Sequence, residues 1–422
     1  MNAREYLASL EFHGVKLGLD NIRRLLAGAG NPHASYPSVH VGGTNGKGSV
    51  VAMLDAICRA AGLRTGRYTS PHIIDVNERF LINGHPVSDA ELDETLAYFR
   101  RIAETMAPPP TYFEVVTAVA FRIFQQEKVD IALVEVGLGG RFDATNVITP
   151  VAAAITNVDL EHTQYLGDTL EKIAFEKAGI LKEGVPVVTS ETRSEPVTVI
   201  LERARALNCP VHLMHRDFDF EIQGAPWNQV FAYRSDALRL GPLTLGLAAD
   251  YQGPNAAVAA ALAECLMQTF PRLGEEAIIR GLETAKWPCR LERVLEDPPV
   301  IIDVAHNPAG IRQLVRQVSR CAAVMAVSSD KNAAEMVRHL ATVADPLILT
   351  QFTGHRALPV GRLCAAAGQI AHQRVERLED AIMAGMRAAD ATKPLLITGS
   401  VYTAGQARAM LMAKYNARPL QF

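Results

Sequence analysis

Cysteine is sparse and dispersed in this chain: six thiols in 422 residues, at positions 58, 209, 265, 289, 321 and 364, with no C-x-x-C pair. That spacing suits neither a disulfide framework nor a thiolate zinc site, and it fits a reducing cytoplasm. An excess of charge is missing too. Lys and Arg number 42 against 45 Asp and Glu, a formal charge of -3, and the pI is about 6.5; this balance argues against a nucleic-acid surface. No apolar run approaches membrane-spanning length, since the Ala-rich stretch 256–267 is short and carries Glu264. The first ten residues are broken by Arg4 and Glu5 and hold no secretory apolar core. Internal repeats and low-complexity tracts are absent as well. These absences leave a soluble enzyme, and 422 residues are too many for one ordinary core, so two or more domains are expected.

Short apolar runs at 131–136, 151–155 and 185–189 read as buried strands, mostly separated by charged or amphipathic helical stretches. That alternation predicts an α/β fold with a largely parallel sheet covered on both faces. After about residue 290 the pattern restarts, with runs at 300–303, 322–327, 346–350 and 395–398. A second, smaller α/β domain is therefore expected, with the boundary at Asp297-Pro298-Pro299 dividing the chain into 1–297 and 298–422.

The densest chemical signal is Gly42-Gly43-Thr44-Asn45-Gly46-Lys47-Gly48-Ser49. Such a loop turns several backbone N–H groups toward one point, and the helix behind it adds partial positive charge. Lys47 is placed to reach terminal phosphates, and the Ser49 hydroxyl to help hold magnesium. The following helix is legible from Val50, Val51, Met53, Leu54, Ile57, Cys58 and Ala61, with Gly62 closing it. The spacing departs from the general P-loop pattern, because Gly48 separates Lys47 from Ser49. A glycine turn with a solvated lysine would explain the glycines alone; glycine, lysine and hydroxyl together point to a nucleoside triphosphate. The wording GTNGKGS resembles the Mur-ligase superfamily, whose members use ATP to join a carboxylate to an amine.

In open parallel sheets, binding groups collect beyond the carboxyl ends of strands. Ser70, in 69–72, could ligate magnesium there, although as a serine before proline it reads first as a turn residue. Glu135 sits inside an apolar strand, where a carboxylate is costly unless paired with a residue such as Arg141 or bound to a metal. His162, just past the 151–155 strand and beside Asp159 and Glu161, divides evenly between a structural and a ligand role. Lys177, in 173–182, reads from composition as a solvated charge at a helix end. In the C-terminal half, Asp303 closes a strand, His306 and Asn307 occupy the loop after it, and 399–402 ends the last strand likewise.

Ten segments in order (GTNGKGS, TSPH, NERFLING, FEVVTAVAF, EVGLGGRFDATN, EHTQYLGDTLEKIAFEKAGILK, GPN, CRLE, DVAHNP and GSVY) resemble the folylpolyglutamate synthase/dihydrofolate synthase family, from about residue 12 to near the C-terminus. About 40 residues precede Gly42, too few for the nucleotide-sugar domain that leads the cell-wall Mur ligases. The resemblance implies a P-loop ATPase domain with a mostly parallel sheet, plus a smaller C-terminal Rossmann-like α/β domain that receives glutamate.

It also implies roles for individual residues. Gly43, Thr44, Asn45, Gly46, Lys47, Gly48 and Ser49 would cradle ATP, with Asn255, Arg290 and Asp303 contacting the nucleotide. Ser70, Glu135 and His162 match magnesium ligands, and Lys177 matches a lysine carried as an N-carbamate at a second magnesium. Thr111, Tyr112, Phe113, Glu114, Phe142, Asp143 and Ala144 match the pterin pocket; Asp303, His306, Ser400 and Tyr402 match the glutamate region. Lys47, Lys177 and His306 are the implied catalytic groups. The implied substrates are ATP, L-glutamate, and dihydropteroate or a reduced folate; the implied protein is a cytoplasmic monomer. Three positions depart from the family pattern: Glu161 stands where Asp is usual before the histidine, Cys289 where glycine usually precedes the arginine, and Gly42 where alanine is common. A related ligase with another carboxylate or amine, or an inactive ATP-binding module, are the competing readings.

Overall fold

The computed structural model describes residues 2–10 and 18–422, so residues 12–17 of the family resemblance lie outside the described residues. Its larger sheet has eight strands: β1 (Ser38–Gly42), β2 (Thr65–Tyr68), β3 (Phe80–Ile82), β4 (His85–Pro86), β5 (Ile131–Glu135), β6 (Ala152–Ile155), β7 (Val187–Thr189) and β8 (Val211–Leu213). Their order is β4-β3-β2-β5-β1-β6-β7-β8, parallel throughout except where β3 and β4 join β2 as antiparallel neighbours.

Every residue of β1 and β5 is buried, because helices cover both faces. Side chains alternate across a strand. Ile131 and Leu133 accordingly meet the helices Lys47–Ala60 and Gln252–Leu266 on one side. Ala132 and Val134 meet the helix Tyr112–Gln126 on the other. Register then fixes the chemistry: Val41 lies beside Glu135, and Gly42 beside Ile155. The P-loop, Glu135 and the loop after β6 therefore leave the sheet at one point.

The sequence pattern did not announce a three-stranded antiparallel sheet, ordered β11-β10-β9, of β9 (Phe218–Gln223), β10 (Val230–Ser235) and β11 (Arg239–Thr244). Phe231, Tyr233, Leu240 and Leu243 cover the Ala-rich helix Gln252–Leu266, which explains how so apolar a helix stays buried in a water-facing fold.

The second sheet is β12 (Glu292–Glu296), β13 (Pro299–Ile302), β14 (Cys321–Met325), β15 (Ala344–Gln351), β16 (Gln373–Arg377) and β17 (Leu395–Thr398), ordered β12-β13-β17-β14-β15-β16. All are parallel but β12, which pairs antiparallel with β13. The expected boundary at 297/298 falls in the turn of that hairpin, so it cuts one sheet in two. Proline punctuates a hairpin turn as readily as a linker. Among the described residues, no helix is long and apolar enough to cross a membrane.

Candidate active site

The P-loop departs from β1 at Gly42 and ends where the helix Lys47–Ala60 begins. Gly43 (φ +136°) and Gly46 (φ +88°) take backbone conformations that side chains disfavour, and an added Cβ would overlap Thr156 Oγ1 and Asn255 Oδ1 respectively. The loop after β6 braces it. Thr44 N–H donates to the Asn157 carbonyl at 2.8 Å, Asn45 N–H to Asn157 Oδ1 at 2.9 Å, and Thr156 Oγ1 to the Asn45 carbonyl at 2.7 Å. No side chain caps the helix start, so its N–H groups are available to an anion. Lys47 Nζ folds back onto the carbonyls of Gly43 and Thr44, at 2.9 and 3.0 Å. Gly48 packs under Trp287, and Ser49 is buried.

Glu135, at the end of β5, is buried and accepts the Ser70 N–H at 3.0 Å. Burial raises its pKa, opposed chiefly by the charge of Lys47. The structure thus joins Ser70 to Glu135, two positions that composition alone did not connect. His162 has a left-handed backbone (φ 46°) and precedes the turn Thr163–Leu166; burial lowers its pKa.

Lys177 is not a solvated charge. Its side chain is 1% exposed, and Nζ donates to Glu161 Oε1 at 2.8 Å. Burial lowers its pKa to about 8, with Glu161 opposing. For Glu161 burial acts upward, but the charges of Lys177 and Lys47 more than reverse it, to about 2. Charge from Lys47 acts on Glu135, Glu161, His162 and Lys177 alike, which places all five in one neighbourhood.

Among the described residues, no three or more His, Cys, Asp or Glu side chains are arranged to hold a metal ion. The expected ligands are of another kind, since only Glu135 and His162 belong to those types. A buried carboxylate, a neighbouring serine and a histidine beside a phosphate loop form an oxygen-rich donor set that suits a hard divalent cation completed by phosphate oxygens.

The second sheet supplies the opposite wall. Asp303 is buried after β13, accepting Leu291 N–H and Ala305 N–H at 2.8 Å each and Tyr251 O–H at 3.2 Å. Burial raises its pKa, with the Arg290 charge opposing. Arg290 keeps its Nε buried and without a protein partner. His306 Nδ1–H donates to the Val304 carbonyl at 3.0 Å, and burial carries its pKa down to about 4. That bond leaves Nε2 as the unprotonated nitrogen of the neutral ring. Asn255 Nδ2 donates to Gln252 Oε1 at 2.9 Å beside the P-loop.

Several expected substrate contacts have structural work of their own. Thr111 and Glu114 cap the helix Tyr112–Gln126 reciprocally. Asp143 accepts Leu138 N–H at 2.8 Å and Thr145 N–H at 3.0 Å, and Ala144 is buried. Phe113 lies against Gly137, Tyr112 under Arg79, and Phe142 is exposed. Ser400 caps the helix Val401–Tyr415, with its Oγ 3.2 Å from Ser328 Oγ; Tyr402 stacks on Phe352 at 5.3 Å.

Sequence reasoning missed Lys331, Ser328 and Tyr251. Lys331, paired with Asp330 at 2.9 Å, brings positive charge to bear on both His162 and His306. Its signal was available: it lies just past the apolar run 322–327, where the strand-end rule applies.

Comparison with known proteins agrees with this geometry. Residues 41–263 match the Mur ligase middle domain, and residues 289–401 match the Mur ligase glutamate ligase domain. The dihydrofolate synthase/folylpolyglutamate synthase of Bacillus subtilis is 35% identical over 414 residues, covering 95% of this chain and 96% of that protein. The Mycobacterium tuberculosis folylpolyglutamate synthase, solved with ADP and AMPPCP, superposes with a TM-score of 0.90 at 32% identity over 99% of both chains. A bifunctional folylpolyglutamate synthase/dihydrofolate synthase with Mn, AMPPNP and L-glutamate bound gives a TM-score of 0.86 at 31% identity, covering 97% of this chain and 98% of that one. The chain belongs to the folylpolyglutamate synthase/dihydrofolate synthase family of Mur ligases.

Proposed function

We propose that this chain is an ATP-dependent ligase that joins the α-amine of L-glutamate to the carboxyl group of dihydropteroate, of a reduced folate, or of both. One observation carries the reading. Lys47 folds over a P-loop braced by Asn157 and Asp159, Lys177 pairs with Glu161 beside His162, Ser70 N–H reaches Glu135 at the end of β5, and Asn307 of the second unit touches Asn45 of the same loop.

A carboxylate is a poor acyl donor because oxide is a poor leaving group. Transfer of the ATP γ-phosphoryl group to the acceptor carboxylate gives an acyl phosphate, and glutamate nitrogen then displaces inorganic phosphate to form the amide. Lys47 leaves the two loop carbonyls for the phosphates, and the uncapped helix behind it adds N–H donors. Divalent ions, two magnesium in this reading, would be held by Ser70, Glu135 and His162, and by Lys177 as an N-carbamate. When bound they supply charge neutralisation at the phosphoryl oxygens. Carbamate formation needs a neutral amine, and the lowered pKa of Lys177 enlarges that fraction.

Glutamate reaches the site mostly as an ammonium, and the neutral Nε2 of His306 is the acceptor for one of its protons. Asn255, Arg290 and Asp303 hold the nucleotide from both sides of the seam. Thr111–Glu114 and Phe142–Ala144 border the pterin, and Ser400 and Tyr402 the glutamate. Closure of the two units excludes water, which would hydrolyse the acyl phosphate. We place the division between them ahead of Glu292, because β12 belongs to the second sheet. A monomer in a reducing cytoplasm completes the reading, supported by six free cysteines.

The test is ATP-dependent phosphate release with magnesium and L-glutamate, in the presence of 7,8-dihydropteroate, tetrahydrofolate or neither. Release that requires a pterin acid supports the assignment, and the acceptor that works defines the branch. Release with another carboxylate only, or ATP binding without release, would replace it by a different ligase or an inactive module.

A further inference from the structure

We propose that Arg141 is a specificity residue that recognises the α-carboxylate of an acceptor already carrying glutamate; this rests on the reading of Phe142–Ala144 as the border of the pterin site. The backbone of Arg141 is fixed on both sides. Its N–H donates to the Glu176 carbonyl at 2.8 Å, and its carbonyl accepts Asn146 Nδ2 at 2.9 Å, a group that also reaches the Gly179 carbonyl at 3.1 Å. The side chain, by contrast, is presented outward. It is 47% exposed, and its one ion pair among the described residues, with Glu176, is long at 3.7 Å. The guanidinium carbon lies 4.6 Å from the Phe142 ring centre and 5.2 Å from that of Phe175.

Both rings are themselves exposed, Phe142 at 36% and Phe175 at 52%. Scattered exposed apolar residues need no explanation, but two phenyl rings flanking one cation form a built arrangement. The rings hold the planar fork in place while leaving its N–H edges free, so little side-chain freedom is lost when a carboxylate binds. An open cleft of about 440 Å³, lined by Tyr165, Leu166, Gly167, Glu171, Lys172, Phe175 and Glu176, adjoins this stack at Phe175.

Position points the same way. Arg141 precedes Phe142 and Asp143 in the chain and touches Glu176, the neighbour of Lys177. Its backbone therefore ties the segment bordering the proposed pterin site to the helix that carries Lys177. Dihydropteroate has only its reacting carboxylate. A folate has, besides the γ-carboxylate that reacts, an α-carboxylate on each glutamate already added. A cation beside the reaction centre rather than in it separates these two acceptors.

Equilibrium binding of 7,8-dihydropteroate and of tetrahydrofolate to the full chain, wild type against Arg141→Gln and Arg141→Lys, tests this. Loss of one charge-assisted hydrogen bond should weaken tetrahydrofolate about tenfold more than dihydropteroate in Arg141→Gln, with partial recovery in Arg141→Lys. In turnover the extra loss should appear in KM rather than kcat. Equal losses for both acceptors, or none for either, would overturn the proposal while leaving the ligase reading intact. A wild-type protein that binds neither compound would instead defeat the pterin reading, and this inference with it.

Discussion

Asn307 reaches across the seam to the P-loop, its Nδ2 donating to Asn45 Oδ1 at 3.2 Å. The same side chain caps the helix Pro308–Leu314 through Gly310 N–H at 2.7 Å, while the Asn45 amide is held by Asn157. One short path thus connects the loop after β6, the phosphate loop and the second sheet. Movement between the two units is felt at the nucleotide.

A second seam contact is tighter. Gly405, in the helix Val401–Tyr415, lies so close to the Ile73 carbonyl that an added Cβ would overlap it. Gly405→Ala should push the units apart at a cost of about 1–3 kcal/mol. Activity should fall further than ATP affinity, measured by calorimetry, because the P-loop contacts of the larger sheet are untouched while those proposed from the second sheet shift. Equal damage to both would mean that the contact serves folding rather than closure.

Lys47→Met removes the one flexible cation of the P-loop without adding bulk to the backbone. We expect turnover to drop about a thousandfold, with circular dichroism and Tm unchanged. The phosphate-release assay reads the first and thermal melting the second.

Glu161 gives a pH signature. Its carboxyl titrates at about 2 in the folded chain against an ordinary 4.5. A depressed carboxylate pKa contributes stability that is present above pH 4.5 and lost as pH falls toward 2. In protein kept free of carbon dioxide, so that Lys177 remains an ammonium, Glu161→Gln should flatten that part of the Tm profile and, at neutral pH, cost about 3 kcal/mol by leaving Lys177 buried without its partner. Adding Lys177→Met should restore much of the loss.

Glu135 behaves with the opposite sign. Burial raises its pKa, so its charge at neutral pH opposes folding until a cation arrives. Glu135→Gln should therefore hold or raise the Tm of the nucleotide-free protein, yet abolish the additional rise that magnesium gives in the presence of ATP. A thermal-shift series with and without magnesium distinguishes the two effects.

Local signals were legible where one residue type had one physical use. The P-loop glycines could be read because close approach excludes side chains, and Glu135 because a carboxylate in an apolar strand needs a reason. Seven of the fourteen strands in the two larger sheets lie within two residues of the apolar runs that announced them, as in β17 (Leu395–Thr398). Lys177 was misread from composition, since burial of its amine depends on Glu161, sixteen residues away. The prolines near 298 sit in the turn of the β12–β13 hairpin, and chain reversal looks alike within and between domains. The strands β9 to β11 went unread although Phe218–Gln223 alternates apolar and polar residues strictly, the mark of a half-buried strand. Seam contacts such as Asn45 with Asn307 depend on how the two sheets pack, which no local pattern encodes.

The folded-back position of Lys47 on its own loop carbonyls has a thermodynamic consequence. In the proposed reading nucleotide arrival would be an exchange, in which these two internal hydrogen bonds break as bonds to phosphate form, so the heat released on binding would understate the strength of the new bonds. The exchange also runs backward. When phosphate departs, the ammonium has partners waiting within about one rotamer change, which removes the desolvation barrier a stranded cation would impose. The loop is therefore suited to letting product go as much as to taking substrate in.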